Sequence, residues 1–448
     1  MLIALSVVIP AYNAASHLKR CLNAVFAGSE APSEVIVIDD GSSDNTREIA
    51  AAFPVTVLCT EGRRGPAFAR NLGAQAARGE VVLFLDSDVC ARRDVIERIR
   101  ERFENDPGLH ALMGSYDSTP GCPEFLSQYR NLLHAYVHQT GTERASTFWS
   151  GCGAIRREVF LQHSGFSEKF GRPAIEDIEL GYRLTRAGCR IELDRDIQVT
   201  HLKRWTFWGL VKTDIFDRGI PWTELILRDR FMPNDLNLHL SQRVSVALVF
   251  ILVALSFAVA ISGDGYPLIP LFAIGFVLLA RWWVEFATPH RPRTVSAVLI
   301  TTVGLIAFLA WRHQMYGIIA PLTLSPALLF HRHRYAYSGR WPKLLRWLAI
   351  SYTCCSLGAA ALYLPANPLI FICCGILALL GLMNSQFYLF LAGTRGVPFM
   401  LAAIPFHLLY HFYNGLSFIA GTVRYYSSNP GERIRSSAPP APTQQPSR

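Results

Sequence analysis

The sequence predicts an α/β domain followed by an all-α region of membrane-spanning length. Over the first 90 residues, short β-rich runs at 5–9, 35–38, 55–58 and 81–85 alternate with helical stretches at 15–26, 45–52 and 67–77. That is the rhythm of βαβ units around a parallel sheet. Past residue 240 the composition changes to uncharged apolar runs at 244–261, 295–311 and 347–383, each long enough to cross most or all of a bilayer. Charge divides at nearly the same place. Residues 1–202 hold 22 Lys and Arg against 26 Asp and Glu, a net −4, and residues 203–448 hold 21 against 8, a net +13.

These boundaries give a domain at 1–240, a transmembrane region at 241–425 and a tail at 426–448. The tail is rich in Pro, Ser and Gln and is expected to be disordered. Spans are expected near 244–262, 267–287, 295–312, 344–364, 366–383 and 397–423, with a shorter candidate at 316–330 that contains Pro321 and Pro326. The total is six or seven. The loops at 289–294 and 331–346 are the most basic and are assigned to the cytoplasm, whereas 262–266 and 365–368 have no basic residue and face away. Just before the first span, the stretch 205–227 mixes Trp205, Phe207, Trp208, Ile215, Phe216 and Trp222 with Lys212 and Arg218 and the adjoining Lys203 and Arg204, a composition suited to the headgroup plane.

The excess of basic charge therefore belongs to the membrane half, where it sets topology and attracts anionic headgroups. Nucleic acid is not an expected partner, because no basic strip interleaved with stacking aromatics occurs in the first half. Four of the ten cysteines form two Cys-Cys pairs in apolar runs and read as small buried hydrophobes. The other six lack metal-ligand spacing, in keeping with a reduced cytosolic compartment. The first ten residues carry neither the basic start nor the cleavage site of a secretory signal.

In open α/β sheets ligands bind beyond the carboxyl ends of the strands, and polar residues follow the strands here. Pro10-Ala-Tyr12-Asn13 follows the first, Asp39-Asp40-Gly41-Ser42 the second, and Asp86-Ser87-Asp88 the fourth. Asp86 and Asp88 stand two apart after an apolar strand, so their side chains are expected to share one direction. Oxygen ligands of this kind suit Mg²⁺ or Mn²⁺, although solvated turn aspartates look the same. Asp39 and Asp40 before Gly41 also fit an Asx-turn. The aromatic and amide-rich stretch 125–138 is a candidate lining for an acceptor groove.

The segments Ser6-Val-Val-Ile-Pro-Ala-Tyr-Asn13, Val35-Ile-Val-Ile-Asp-Asp-Gly-Ser-Ser-Asp-Asn-Thr46, Gly65-Pro-Ala-Phe-Ala-Arg-Asn71 and Phe84-Leu-Asp-Ser-Asp88 resemble the family 2 glycosyltransferases of GT-A fold. Gly151-Cys-Gly-Ala-Ile-Arg-Arg157, Gly165-Phe-Ser-Glu168 and Ile175-Glu-Asp-Ile-Glu-Leu-Gly-Tyr-Arg183 continue the resemblance in the same order over residues 4–202. It implies a Rossmann-like nucleotide-sugar-binding domain in which Pro10 and Tyr12 border the base pocket and Asp39 or Asp40 accepts hydrogen bonds from base or ribose. Arg70 then lies near the base or diphosphate, unless it forms a helix-face salt bridge. Asp86 faces the ribose, and Asp88 binds the metal.

Inversion at a sugar carbon needs a base opposite the leaving diphosphate. In the resembled family that base is the Asp of a Glu-Asp pair, which makes Asp177 the expected base beside Glu176. Like charge from Glu176 and Glu179 is expected to raise its pKa, and the same acidic cluster also suits a helix N-terminus. The resemblance further implies that His201 completes the metal sphere or meets the diphosphate, against a purely structural role. Membrane polysaccharide synthases of the family carry a Gln-x-x-Arg-Trp motif. Here the region reads Asp214-Ile-Phe-Asp-Arg-Gly-Ile-Pro-Trp222, without the Gln and with Arg218 and Trp222 separated. Both remain candidate donor-binding residues, with interfacial snorkelling as the other role for Arg218.

The resemblance implies an inverting, metal-dependent transferase that moves a sugar from a nucleotide-diphosphate donor to a lipid-linked or membrane-proximal acceptor. The expected place is the inner (plasma) membrane, multi-pass, with the catalytic domain cytoplasmic. A processive exopolysaccharide synthase and a nucleotide-sugar-binding transporter or scaffold are the alternatives.

Overall fold

The computed structural model describes residues 3–261 and 368–428. An eight-stranded sheet forms the centre, in the order β3-β2-β1-β4-β7-β6-β8-β5. Its first half follows the predicted βαβ rhythm: β1 (Leu5–Ala11), α1 (Leu18–Phe26), β2 (Glu34–Asp39), α2 (Thr46–Ala51), β3 (Thr56–Cys59), α3 (Pro66–Ala76) and β4 (Val81–Leu85). These four strands run parallel. β1 and β4 are buried along their whole length, as expected of strands covered on both faces by helices.

The second half, beyond the 90 residues read as βαβ units, changes strand direction. β7 (Cys152–Arg156) runs antiparallel to β4 and to β6 (Ala111–Tyr116), and β5 (Val89–Ala91) antiparallel to β8 (Ile191–His201). β6 and β8 are parallel. The sheet is therefore mixed. The strands after residue 88 are separated by irregular loops as well as by α4 (Val95–Asn105), α5 (Phe125–Thr140), α6 (Arg157–Gln162) and α7 (Glu176–Arg186), so no βαβ period betrays them in sequence.

Two apolar layers flank the sheet. One packs Leu18, Leu22 and Val25 of α1 with Ile99 and Phe103 of α4. The other gathers Phe84, Phe148, Phe160 and Phe166 beneath α3 and α7, with ring centroids 5.1 Å apart for Phe84–Phe160 and Phe84–Phe166. These layers fix the strand ends that carry the polar loops.

After β8 the chain forms α8 (Phe207–Lys212), a π-helical turn over Thr213–Gly219 and α9 (Ile220–Asp229) without a break. Leu210 and Ile220 face the domain, while Trp208 and Phe216 are 77% and 55% exposed. Trp205, expected in the same interfacial stretch, is instead buried, with its indole Nε1 donating to Asn131.

The described helices that follow are α10 (Leu240–Ile261), α11 (Pro368–Met383), α12 (Ser385–Arg395) and α13 (Val397–Ser427). Among the described residues one helix, over Leu240–Ala258, is long and apolar enough by itself to cross a membrane. Ile372–Met383 and Ser385–Arg395 reach that standard only as a pair bent by 63°. The expected span at 397–423 is helical but does not, because His407, His411 and Asn414 interrupt its apolar run. The expected spans at 267–287, 295–312 and 344–364, and the shorter one at 316–330, lie outside the described residues, as does the tail.

The chain divides into two compact units. One holds the sheet domain together with Phe387–Val397 and the segment from His407, and the other holds α10 from Ala247 with α11 and Pro398–Phe406. The eight described cysteines are free thiols.

Candidate active site

The site begins where β4 ends. The chain turns at Asp86-Ser87-Asp88, with the Val89 amide donating to the Asp86 carbonyl at 3.0 Å. Because the strand stops at Leu85, the two-residue alternation of a strand no longer applies, and the two carboxylates take different partners. Asp86 Oδ1 accepts from Nη2 of Arg70 at 2.7 Å, whereas Asp88 Oδ2 lies 3.5 Å from Nε2 of His201. The pair thus divides its partners between Arg70 and His201.

Arg70 is the hub. It projects from α3 with a side chain only 6% exposed and donates through Nη1 to Oε1 of Glu176 at 3.0 Å. Burial would lower its pKa, but Asp86 and Glu176 on either side hold it raised. A buried guanidinium shared by two carboxylates from distant segments is not the solvent-facing bridge that a helix face offers. α3 is aimed by Gly65, whose φ of 96° favours glycine and whose amide donates to Asp40 Oδ2 at 2.8 Å.

Asp177 stands in the first turn of α7, next to Glu176. Its Oδ1 accepts from its neighbour Ile178 N at 2.8 Å, and its Oδ2 from Ser150 N and Oγ at 3.3 and 3.4 Å. Its carboxyl is pushed up to about 6 by burial first and by Glu176 second, against the pull of Arg70 and the Ser150 amide. The expected direction is right, but its cause changes. Burial dominates, and Glu179 is neutralised by Arg183 at 2.9 Å.

His201 ends β8, paired in register with Val89, so strand pairing brings it beside Asp88. Its Nδ1 lies 2.8 Å from Asn131 Oδ1, which also accepts from the Trp205 indole. An oxygen acceptor there keeps the proton on Nδ1 and leaves Nε2 toward Asp88. Burial would raise the Asp88 pKa, yet His201, Lys203 and His17 hold it well below the usual carboxylate range. Among the described residues no third His, Cys, Asp or Glu joins the pair to form a metal cluster.

The donor-side candidates divide. Tyr12 is 41% exposed beyond β1, with the Arg63 guanidinium carbon 4.2 Å above its ring. Pro10 is buried within β1 opposite Ile38. Asp39 accepts from Ser42 N at 3.1 Å, the expected turn bond, and from Arg47 Nη2 at 2.8 Å. Asp40 takes Arg64 N, Gly65 N and Thr60 Oγ1 at 2.8, 2.8 and 3.0 Å, which staples the loop before α3.

Arg218 stands on the π-helical turn, with Nη1 3.5 Å from Nε2 of His134. Its charge reaches Asp177, Tyr116 and Lys203, and among the described residues it makes no ion pair. Trp222 lies one helical segment on and does not join this group. Its indole donates to the Tyr182 hydroxyl at 3.0 Å within a cluster of Ile175, Tyr182 and Leu225.

Several neighbours escape a reading by motif. Tyr116 stacks on His201 at 4.5 Å and meets Trp149 edge-on at 4.6 Å, with His134 and His138 alongside. Asn131, His134 and His138 fall at i, i+3 and i+7 of α5, one face of a helix, and that spacing was the available signal. Ser150 has none, because a loop delivers it.

Residues 6–163 match the family model described as glycosyl transferase family 2. Over those residues the chain is similar to the family 2 glycosyltransferases. The domain is similar to an uncharacterized glycosyltransferase of Haemophilus influenzae, 33% identical over 175 residues, covering 36% of this chain and 56% of that protein. It is also similar to the uncharacterized glycosyltransferase YfnE of Bacillus subtilis, 35% identical over 250 residues, covering 44% and 64%. The succinoglycan biosynthesis protein ExoO of Rhizobium meliloti is 40% identical over 98 residues, 21% of this chain and 28% of its own. The chain thus spans less than two thirds of each of these curated relatives. Among solved structures, a mannosyltransferase from Pyrobaculum calidifontis in complex with GDP-Man and Mn²⁺ aligns over 95% of this chain and 88% of its own, at 14% identity and a TM-score of 0.43.

Proposed function

We propose that this chain is an inverting, divalent-metal-dependent glycosyltransferase. It moves a single sugar from a nucleoside-diphosphate donor to a lipid-linked or membrane-proximal acceptor in cell-envelope or polysaccharide synthesis. The observation that carries this reading is the bridge that Arg70 makes between two carboxyl systems, to Asp86 at 2.7 Å in the turn that also holds Asp88 and to Glu176 at 3.0 Å beside Asp177. Asp88 with His201 is one, and the Arg70-braced Glu176–Asp177 pair is the other.

Each residue has a chemical task in this proposal. Asp177, with its raised pKa, is the base that takes the proton from the acceptor hydroxyl. As the acceptor oxygen bonds to the sugar carbon, the bond from that carbon to the diphosphate breaks and its electron pair leaves with the diphosphate. Arg218, a half-buried cation with no ion-pair partner among the described residues, faces that developing charge. Asp86 and Tyr12 bind the ribose and base side, with Asp39 beside them. Asp40 contributes chiefly by shaping the loop, although a carboxylate keeps spare lone pairs.

The donor set fits Mg²⁺ or Mn²⁺. Asp88 and His201 would hold the ion, and a hard cation commonly completes its sphere with substrate oxygens and water. The ion would supply positive charge to the leaving diphosphate. Trp149, which precedes the Asp177 partner Ser150, and the His138 ring 4.7 Å from it supply, with His134, a half-buried aromatic surface that suits a sugar acceptor.

The proposed setting is the cytoplasmic face of the plasma membrane. α10 and the exposed Trp208 and Phe216 support it, together with the apolar runs outside the described residues. The single-transfer reading is favoured over a processive synthase by Trp222, which is engaged with Tyr182 instead of standing beside Arg218. The test is to supply radiolabelled UDP- and GDP-sugars and membrane lipid extract to the full chain in detergent. One-sugar product in the organic phase supports the proposal. Long aqueous polymer would favour the synthase, and no product with any donor would favour the nucleotide-sugar-binding alternative.

A further inference from the structure

The π-helical turn Thr213–Gly219 is the most unusual backbone near the site. π-turns are rare and concentrate at functional positions, and this one carries Arg218. Two helices of the same compact unit grip it from different sides.

On one side is α5. Nη2 of Arg130 donates to Oδ1 of Asp214 at 2.6 Å, both side chains being 5% exposed or less. One turn along α5, His134 meets Arg218. The two contacts form successive rungs, since Arg130 and His134 are four residues apart on α5 and Asp214 and Arg218 four apart on the π-turn.

On the other side is the second half of α13. The Tyr413 hydroxyl donates to Oδ2 of Asp214 at 2.7 Å, and the Arg130 guanidinium carbon lies 5.5 Å from the centre of the Tyr410 ring. Further along, a Cβ on Gly219 would stand 2.2 Å from Ser417 Oγ, and one on Gly421 would stand 2.7 Å from Thr223 Cβ. Arg424 then bridges to Glu224 at 2.8 Å. Contacts at Tyr413, Ser417, Gly421 and Arg424 follow helical spacing, so one face of α13 lies along the π-turn and α9.

Asp214 therefore has both carboxylate oxygens committed, one to each neighbour. A π-turn has fewer good alternatives than an α-helix, and a buried carboxylate losing one of two strong partners must rearrange. We infer that Asp214, clamped between Arg130 and Tyr413, is a positioning residue that fixes the π-turn and thereby aims Arg218 at the donor diphosphate. The C-terminal helix, far away in sequence, is then part of the nucleotide site through Tyr413. This inference rests on the proposed function, in which Arg218 faces the diphosphate.

A double-mutant cycle on nucleotide binding tests it, using the full chain in detergent with Mn²⁺ and titration calorimetry with UDP, GDP and dTDP. Tyr413→Phe removes one hydroxyl and is expected to weaken the preferred nucleotide about fivefold in the wild-type background, but less than twofold when Arg218 is already Ala, the non-additivity of coupled groups. Thermal midpoints confirm that the variants fold. If Tyr413→Phe is not recovered folded, Asp214→Asn takes its place in the same cycle. Equal losses in both backgrounds, or no loss in the wild-type background, overturn the inference. A wild-type chain that binds none of the three nucleotides overturns the proposed function itself, an outcome distinct from additive losses.

Discussion

Nη1 of Arg70 donates to Oε1 of Glu176 at 3.0 Å, and this bond separates the roles of two adjacent carboxylates. Glu176 is 4% exposed, paired with the guanidinium and also accepting from the Ala174 amide at 2.9 Å. Asp177 receives only long bonds from Ser150 and one bond from its neighbour's amide. The neutralised carboxylate braces the site, and its neighbour is left with the affinity for a proton that a base needs.

The pH dependence of transfer follows from this. Asp177 must be ionised to act, and its pKa is pushed up to about 6, so the rate is expected to fall about tenfold per pH unit below that value. Removing the Glu176 charge takes away one cause of the elevation, so Glu176→Gln is expected to move the acid limb to lower pH. The stability effect has the opposite sense. The folded carboxyl keeps its proton to higher pH than an unfolded one at about 3.9, so ionising it between about pH 4 and 6 costs the folded state stability. Asp177→Asn is expected to match or exceed the wild-type thermal midpoint at pH 7. An acid limb unchanged by Glu176→Gln would contradict the assignment.

Arg70 is expected to matter for folding as well as for activity. Truncation to Ala strands Glu176 without its buried cation and frees Asp86, a change that costs about 3–5 kcal/mol where a buried pair is broken. Urea denaturation of the two proteins checks this. A loss below about 1 kcal/mol would show that solvent already screens the cluster.

Trp222 separates packing from recognition. Trp222→Phe keeps most of the ring but loses the bond to Tyr182, worth about 0.5–1.5 kcal/mol. The expected outcome is a lower thermal midpoint with an unchanged KM for the donor. A KM raised several-fold at unchanged stability would return Trp222 to the donor site.

How much was legible in sequence depends on how each residue reaches the site. β1 to β4 and α1 to α3 were readable to within a few residues, because apolar runs of strand length alternate with amphipathic helices and each polar loop follows its strand. Asp88 and Asp177 were legible as motif members. His201 was legible by position, but its partner Asn131 was not, since that contact joins β8 to a helix 70 residues earlier. The antiparallel β7 and the short β5 have no local signature. The bond of Trp222 to Tyr182 had no signal, because a tryptophan beside a recognisable motif region looks the same in sequence whether it faces a ligand or Tyr182.

The metal pair makes its own prediction. Asp88→Asn and His201→Ala are each expected to abolish high-affinity Mn²⁺ binding in the presence of nucleoside diphosphate. Asn131→Ala, which frees the second ring nitrogen of His201 and the Trp205 indole N–H, is expected to weaken it about 10–100-fold. Paramagnetic resonance of free Mn²⁺ gives the affinities directly. Wild-type affinity in Asn131→Ala would mean that its bond does not orient the imidazole.

The central claim is that Asp177 serves as the base of a sugar transfer from a nucleotide donor. Its most direct test is nucleoside-diphosphate release by the detergent-purified full chain, given UDP- and GDP-sugars, Mn²⁺ and membrane lipid extract. The wild type is predicted to release nucleotide from at least one donor while Asp177→Asn stays at background, a loss of at least about 100-fold for removal of a general base. Equal release by the two proteins, or none by the wild type with any donor, would contradict the account.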